Sequence, residues 1–205
     1  MSSSPPPGAR VSPSTARNRD PILQVLAPRL PTAGLVLEIA AGAGEHAAHM
    51  ALALPDLSWR PTDPDPEALA SIAAWRDQAG LPNLLPPLRL DAAEPDSWPV
   101  SRADAVVNIN MIHISPWAAA EGLMTGAGRV LASGGMLFVY GPYFEAGVET
   151  APNNLDFDAS LRGRNPAWGL RRLDEVTALA AGQGLVLEDR ISMPANNLAL
   201  VFRRR

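Results

Sequence analysis

Val36-Leu37-Glu38-Ile39-Ala40-Ala41-Gly42-Ala43-Gly44-Glu45-His46 runs from a short apolar stretch through small residues into a polar one. The run 35–39 is bounded by Gly34 and by the Gly/Ala turn, which predicts a buried strand; residues 44–54 then predict a helix. A turn of small residues lets a ligand approach the backbone and meet a helix N-terminus. Gly42-Ala43-Gly44-Glu45-His46-Ala47 also fits the dinucleotide pattern G-x-G-x-x-G/A, a weak signal when it stands alone. Glu38, at the strand tip before the turn, separates the readings. A carboxylate there repels a pyrophosphate and suits a ligand bearing an ammonium group. The plain alternative is a strand-to-helix turn that binds nothing.

Working outward, strands are predicted over 57–62, 88–90, 103–110 and 134–140, with helices over 66–78 and from Ser115-Pro116 to about residue 131. Asp20-Pro21 reads as a helix cap with proline at the first position, supported by Ile22, Val25, Leu26 and Leu30. An irregular stretch is expected over 141–170. A helix over 174–182 and two strands, 185–191 and 198–203, close the chain. Strands alternating with helices mean right-handed crossovers and a mostly parallel sheet; the last two strands, having no helix between them, form an antiparallel hairpin. Residues 1–13 are Ser/Pro-rich and are expected to be a disordered tail, leaving 14–205 as a single domain.

Composition removes whole classes of chemistry. All 17 basic residues are arginine, so no Schiff-base or P-loop lysine exists. There is no cysteine, which excludes disulfides, thiolate catalysis and Cys-ligated metals. A net charge of −4 argues against a nucleic-acid partner. No run of 18 apolar residues predicts a membrane span, and the N-terminus lacks the apolar core of a signal peptide, so the expected address is the cytoplasm.

Carboxylates recur at the carboxyl ends of three successive strands: Glu38, then Asp63, then Asp91. Ligands bind at that edge of open α/β sheets. Asp63, nineteen residues after Gly44, stands where a ribose diol ligand is expected, with a turn cap as its alternative; Asp65, followed by Pro66, reads as a helix cap. Asp91 can accept from an adenine amino group. Asn110, Met111 and His113 follow the fourth strand at the same edge, with Asn108 deeper in it. His113 is a candidate general base, weighed equally against a histidine that merely bonds the backbone at a helix start. His46 and His49 share a helix face but lack a third ligand, so no metal site is expected. Arg162, Arg164, Arg171 and Arg172 read as a solvated face, yet they lie in the long polar insert with Asn153, Asn154 and Trp168. Polar loops at a ligand edge are usually functional.

Glu38-Ile39-Ala40-Ala41-Gly42-Ala43-Gly44, Asp63, Asp91 and the 129–137 segment resemble the ordered motifs of class I S-adenosylmethionine-dependent methyltransferases. Ala16-Arg17-Asn18-Arg19, the 110–117 segment, Tyr140-Gly141-Pro142-Tyr143 and the 193–197 segment resemble a subfamily of small methyltransferase-like proteins of unassigned substrate. The resemblance implies an α/β, Rossmann-like seven-stranded mixed sheet of order 3-2-1-4-5-7-6, its last strand antiparallel, with helices on both faces. It implies S-adenosyl-L-methionine as cofactor and S-adenosyl-L-homocysteine as product. Glu38, Ala40, Gly42, Gly44 and His46 would hold the amino-acid end, Asp63 the ribose, Asp91 and Ala92 the adenine, and Asn110 and Met111 the floor near the sulfonium. A small-molecule acceptor is expected against Arg17, Asn18, Tyr140, Tyr143, Asn153 and Asn154, with His113 as catalytic residue and the insert 141–170 as a substrate-side lid. Where that family's first motif glycine stands, this chain has Ala40, so a negative φ is expected there. The competing readings are a catalytically inactive S-adenosylmethionine-binding regulatory or scaffold protein and a nicotinamide-dependent dehydrogenase, the latter disfavoured by Glu38 and the terminal hairpin.

Overall fold

The structure is a computed structural model describing residues 5–205. Nine strands and six helices alternate along the described chain. β1 (Gly34–Ile39), β2 (Leu57–Asp63), β3 (Leu88–Arg89), β4 (Ala103–Ile109), β5 (Leu131–Gly141), β8 (Leu185–Met193) and β9 (Asn197–Arg204) form one sheet of order β3-β2-β1-β4-β5-β9-β8. Counted within that sheet, the order is the expected 3-2-1-4-5-7-6. β1 to β5 are parallel, and β9 is antiparallel to both β5 and β8. The short strands β6 (Tyr143–Phe144) and β7 (Arg171–Arg172) pair separately.

Period-2 alternation builds two cores. Leu37, Val106, Leu137, Val139 and Phe202 face α4 (Trp117–Val130) and α6 (Leu173–Gly182). Val36, Ala105, Val107, Met136, Phe138 and Val201 join the cluster on the opposite face, with α1 (Pro13–Leu26) and α2 (Glu45–Ala53). The central strands are buried on both faces, which explains why they read as continuous apolar runs. α3 (Pro66–Ala79) begins as expected: Asp65 Oδ1 accepts from Glu67 N–H at 2.9 Å, with Pro66 at the first helical position.

Three expectations are corrected. α1 starts at Pro13, eight residues before the expected Pro21, which lies inside the helix; Asp20 faces His49, with 3.0 Å between Oδ1 and Nε2. A helix-interior proline lacks the N–H that would bond the carbonyl four residues back, so local signals favour a start there, whereas the packing of Ile22 and Leu26 keeps one continuous helix. The tail expected over 1–13 is tied down from Arg10 onward: Arg10 pairs with Asp65 at 2.9 Å and with Glu67, and Ser12 N–H donates to Glu45 Oε2 at 2.6 Å. Residues 1–4 lie outside the described residues. Finally, the stretch 141–170 is not irregular. It contains α5 (Pro152–Arg164), whose only buried apolar residue is Leu161, while Leu155 and Phe157 are exposed. So few buried apolar positions leave no amphipathic period to read.

The fold creates its site where the strand order reverses, between β1 and β4. Asn108 spans that divide, donating from Nδ2 to the Ile39 carbonyl at 3.0 Å.

Candidate functional site

Above the carboxyl edge of β1 to β4 lies a cavity of about 750 Å³, within the usual size of a small-molecule site. Ala40, Gly42, Gly44 and His46 line it from the β1–α2 turn, Asp63 from β2, Asp91 and Ala92 after β3, and Asn110 and Met111 after β4. These are nine of the ten residues expected around a cofactor. The tenth, Glu38, is absent from the lining: it is 1% exposed beneath the turn, and its Oε2 accepts from Trp59 Nε1 at 2.6 Å. Glu38 thus does not reach the cavity wall in this structure; its carboxylate is turned to Trp59 on β2.

The turn is held by backbone geometry. Gly42 and Gly44 have φ of +57° and +91°. At Gly44 a Cβ would also come within 2.8 Å of the Ile72 backbone, so only glycine lets α3 pack beside the turn. Asp63 clamps the turn from the neighbouring strand. It is 7% exposed; Oδ2 accepts from Gly42 N–H at 2.9 Å and Oδ1 from Asp65 N–H at 3.0 Å. Burial raises its pKa while these two bonds oppose the rise. A carboxylate offers about four acceptor positions, so Asp63 retains acceptor capacity toward the cavity, whereas Asp65 is engaged by its cap and by Arg10 and does not line it. At the far end, Asp91 Oδ1 accepts from Ala93 N–H at 2.9 Å. Gly122 of α4 comes so close to the Ala92 carbonyl that a Cβ there would lie 1.9 Å from the oxygen, which seats α4 against the wall formed by Ala92.

Ala40 departs from expectation: its φ is +56°, not negative. The left-handed region costs an L-residue roughly 1–2 kcal/mol, and glycine's extra freedom in the unfolded chain takes back about 0.4–1 kcal/mol. Ala40→Gly is therefore expected to stabilise the protein by up to about 1.6 kcal/mol, read by urea denaturation. A clear loss would mean that packing of the Ala40 methyl against the core outweighs the strain. Asn110, also left-handed at φ +60°, is anchored through its N–H to the Tyr140 carbonyl at 2.9 Å.

A second cavity, of about 660 Å³, adjoins the first. The two share Ser14, Asn110 and Ile114 in their walls. Arg17, Asn18, Tyr140, Asn153 and Asn154 line the second, as does His113. Tyr143, expected beside them, does not. It is buried on β6 against a different, smaller cavity, its hydroxyl has no hydrogen-bond partner, and burial raises its pKa. Asn153 and Asn154 are largely engaged: Asn154 Nδ2 donates to the Asn196 carbonyl at 2.9 Å, and Asn196 Nδ2 to Asn153 Oδ1 at 2.7 Å. They hold the turn in which Ala195 and Asn196 are left-handed. Asn18 joins the cavities, bonding His46 Nε2 through Oδ1 at 2.9 Å and also the Tyr140 hydroxyl.

His113 is 2% exposed, and its Nδ1 has no hydrogen-bond partner. Burial, with a smaller contribution from nearby Arg171, brings its pKa down to about 4, so the ring is neutral at pH 7. Phe157 of α5 meets the ring edge-on at 5.7 Å between centroids. The backbone on either side is fixed by Arg171, whose guanidinium donates to the carbonyls of Ile112 at 2.9 Å, Ser115 at 2.6 Å and Ala167 at 3.0 Å. Arg171 also stacks over Trp117 at 5.6 Å. Sequence reading placed this residue on a solvated face; nothing local marks an arginine that will bond three carbonyls. It also missed Ser12, Ser14 and Thr15, which line the first cavity from the start of α1. Among the described residues no cluster of His, Asp and Glu forms a metal site, and no helix is long and apolar enough to cross a membrane.

The buried titratable groups oppose one another. Burial raises Glu38 from its ordinary 4.5 to about 7, while burial brings His46 and His113 down to about 4. Between pH 4.5 and 7 the native state keeps a proton on Glu38 that the unfolded chain has lost, so this group's contribution falls as pH rises through that window. The histidines act the other way: below about pH 6.5 the unfolded chain binds protons that the native state refuses, so their contribution falls as pH falls. Glu38→Gln removes only the first effect. Relative to wild type it is expected to gain about 3 kcal/mol from pH 4.5 to pH 7, and little more above. Denaturation at stepped pH measures this; parallel curves would show that Glu38 titrates normally.

A family model described as "Protein of unknown function (DUF938)" matches residues 9–204. Among solved structures, an O-methyltransferase family protein from Burkholderia thailandensis is 17% identical, with a TM-score of 0.79 over 93% of this chain and 57% of that one. An O-methyltransferase family 2 protein from Planctomyces limnophilus, solved in complex with apigenin, is 19% identical with a TM-score of 0.77, over 94% and 60%. Human N-acetylserotonin methyltransferase, solved in complex with SAM, is 14% identical with a TM-score of 0.76, over 93% and 52%. At this identity the likeness establishes a common fold. This chain spans between half and three-fifths of the length of those proteins.

Proposed function

We propose that this chain, which belongs to the DUF938 family, is an S-adenosylmethionine-dependent methyltransferase acting on a small molecule. The observation carrying the reading is the junction of two cavities at Asn110, one walled by the strand-end carboxylates Asp63 and Asp91 and the other lined by the neutral imidazole of His113. The residues present fit the cofactor. Asp63 has free acceptor capacity for the ribose diol, Asp91 and Ala92 flank the adenine end, and Gly42, Gly44 and His46 leave room for the amino-acid end. Glu38 ties β1 to β2 just before that turn, its carboxylate accepting from Trp59 and its carbonyl from Thr62. Asn110 and Met111 form the floor beside the second cavity. When bound, the cofactor supplies an electrophilic methyl group on a sulfonium.

The chain's own contribution is orientation, exclusion of water and proton removal. Asn110 and Ile114 stand at the boundary that both reactants must share. His113, which lines the second cavity, is the side chain there that can accept the proton of an acceptor hydroxyl or amine as that group becomes nucleophilic. Apolar neighbours such as Ile109, Met111 and Ala119 keep water from the first cavity.

The test is thermal. S-Adenosylhomocysteine or S-adenosylmethionine is expected to raise Tm, because a ligand that binds only the native state stabilises it, whereas NAD leaves Tm unchanged. A shift with NAD alone would replace this reading with a dehydrogenase, and no shift with either at saturation would remove the cofactor assignment.

A further inference from the structure

The chain carries more acid than base, 21 residues against 17, yet the second cavity is lined by two arginines and no aspartate or glutamate. Arg17 comes from α1 and Arg164 from the last turn of α5, so the two cations reach the cavity from different walls. Among the described residues neither has an ion-pair partner, although Arg10, Arg29, Arg162, Arg172, Arg190 and Arg203 all do. Arg164 lies over the Trp168 ring at 5.4 Å, which braces its stem and leaves its N–H groups free to donate. The neutral amides nearby are engaged: Asn153 and Asn154 hold the 194–197 turn, and Asn18 serves His46 and Tyr140. The charged donors at this wall are therefore the two guanidinium groups, alongside the neutral amide of Asn110. Phe157, Tyr140 and His113 line the same cavity and give it an aromatic wall.

We infer that the acceptor is a small, flat molecule carrying an anionic group, a carboxylate or a phosphate, held between Arg17 and Arg164, with the hydroxyl or amine to be methylated directed at His113. The inference rests on the proposed methyltransferase reading for the identity of the second cavity as the acceptor site. Arginine suits it because its planar fork meets carboxylate and phosphate oxygens two at a time. Both arginines are exposed at the cavity mouth, so their effect belongs at the low end for charged hydrogen bonds.

Calorimetry of the full chain tests this with three ring-sized probes, 4-hydroxybenzoate, phenyl phosphate and the neutral 4-hydroxybenzamide, each with and without saturating S-adenosylhomocysteine. At least one anion is expected to bind about tenfold more tightly than the amide. The better anion identifies the group as carboxylate or phosphate. The double variant Arg17→Gln/Arg164→Gln should bring that anion to the level of the amide while Tm stays near wild type. Equal binding of anion and amide, a preference that survives in the double variant, or failure of both anions to bind would each overturn the inference. Failure of S-adenosylhomocysteine itself to bind would instead count against the cofactor reading, and the arms without it would still decide the anion preference.

Discussion

His113→Asn is expected to lower turnover on an ionisable acceptor by about 10²–10⁴-fold, the usual contribution of a positioned general base. Affinity for S-adenosylhomocysteine should hardly change, because His113 lines the second cavity and not the first. The imidazole is neutral at pH 7, and Phe157 and the Arg171-fixed backbone hold the ring at the cavity wall; its lowered pKa makes it a weaker base than an ordinary histidine, which places the effect toward the lower end of that range. With its pKa near 4, activity should persist at acidities where an ordinary histidine would already be protonated. Asparagine keeps a polar group of similar reach but cannot take a proton. If His113 were only a packing residue, the variant would melt early and turn over normally per folded molecule. Rates normalised to the folded fraction separate the two.

Asp63→Ala is expected to weaken cofactor binding by about 10–150-fold, the range for losing hydrogen bonds to a charged group. Two losses combine: the acceptor for the ribose hydroxyls, and the clamp on Gly42 N–H that keeps the glycine turn in place. Asp65→Ala is the control. It removes the cap on Glu67 N–H and the contact with Arg10, so it should lower Tm modestly and leave affinity near wild type. Cofactor titrations of both variants decide the matter; the reverse pattern would move the ribose ligand to Asp65.

The sheet was legible because β1, β4 and β5 are buried on both faces and spell out long apolar runs, and because Asp65-Pro66 caps α3 where a local rule says it should. Two members of the carboxylate series, Asp63 and Asp91, were legible at the cavity wall because strand ends are visible and the fold aligns them. What was not legible depends on partners distant in sequence. Glu38 was read from its place at the strand tip, but its side chain is buried on Trp59 and lies outside the cavity wall. Tyr143 was read with Tyr140, but one lies on β5 and the other on β6, which pairs with β7 and faces a different cavity. Helix α5 buries so little apolar surface that no period marks it. The true start of α1 did leave a signal. Ser12-Pro13 is the same pairing that was read correctly at Asp65-Pro66, and Asp20-Pro21 obscured it.

Helix α1 supplies Ser14 and Thr15 to the first cavity and Ser14, Arg17 and Asn18 to the second. One rigid element thus belongs to two binding equilibria. Under the proposed function, any difference in the position of α1 between free and bound protein is shared by cofactor and acceptor, and to that extent the two affinities are linked. Reciprocity then requires that whatever factor the cofactor adds to acceptor affinity, the acceptor returns to the cofactor. Part of the fastening is electrostatic and exposed, through Arg10 to Asp65 and Glu67. Salt screens such contacts, which makes ionic strength a means of tuning cooperativity between the sites without touching either ligand.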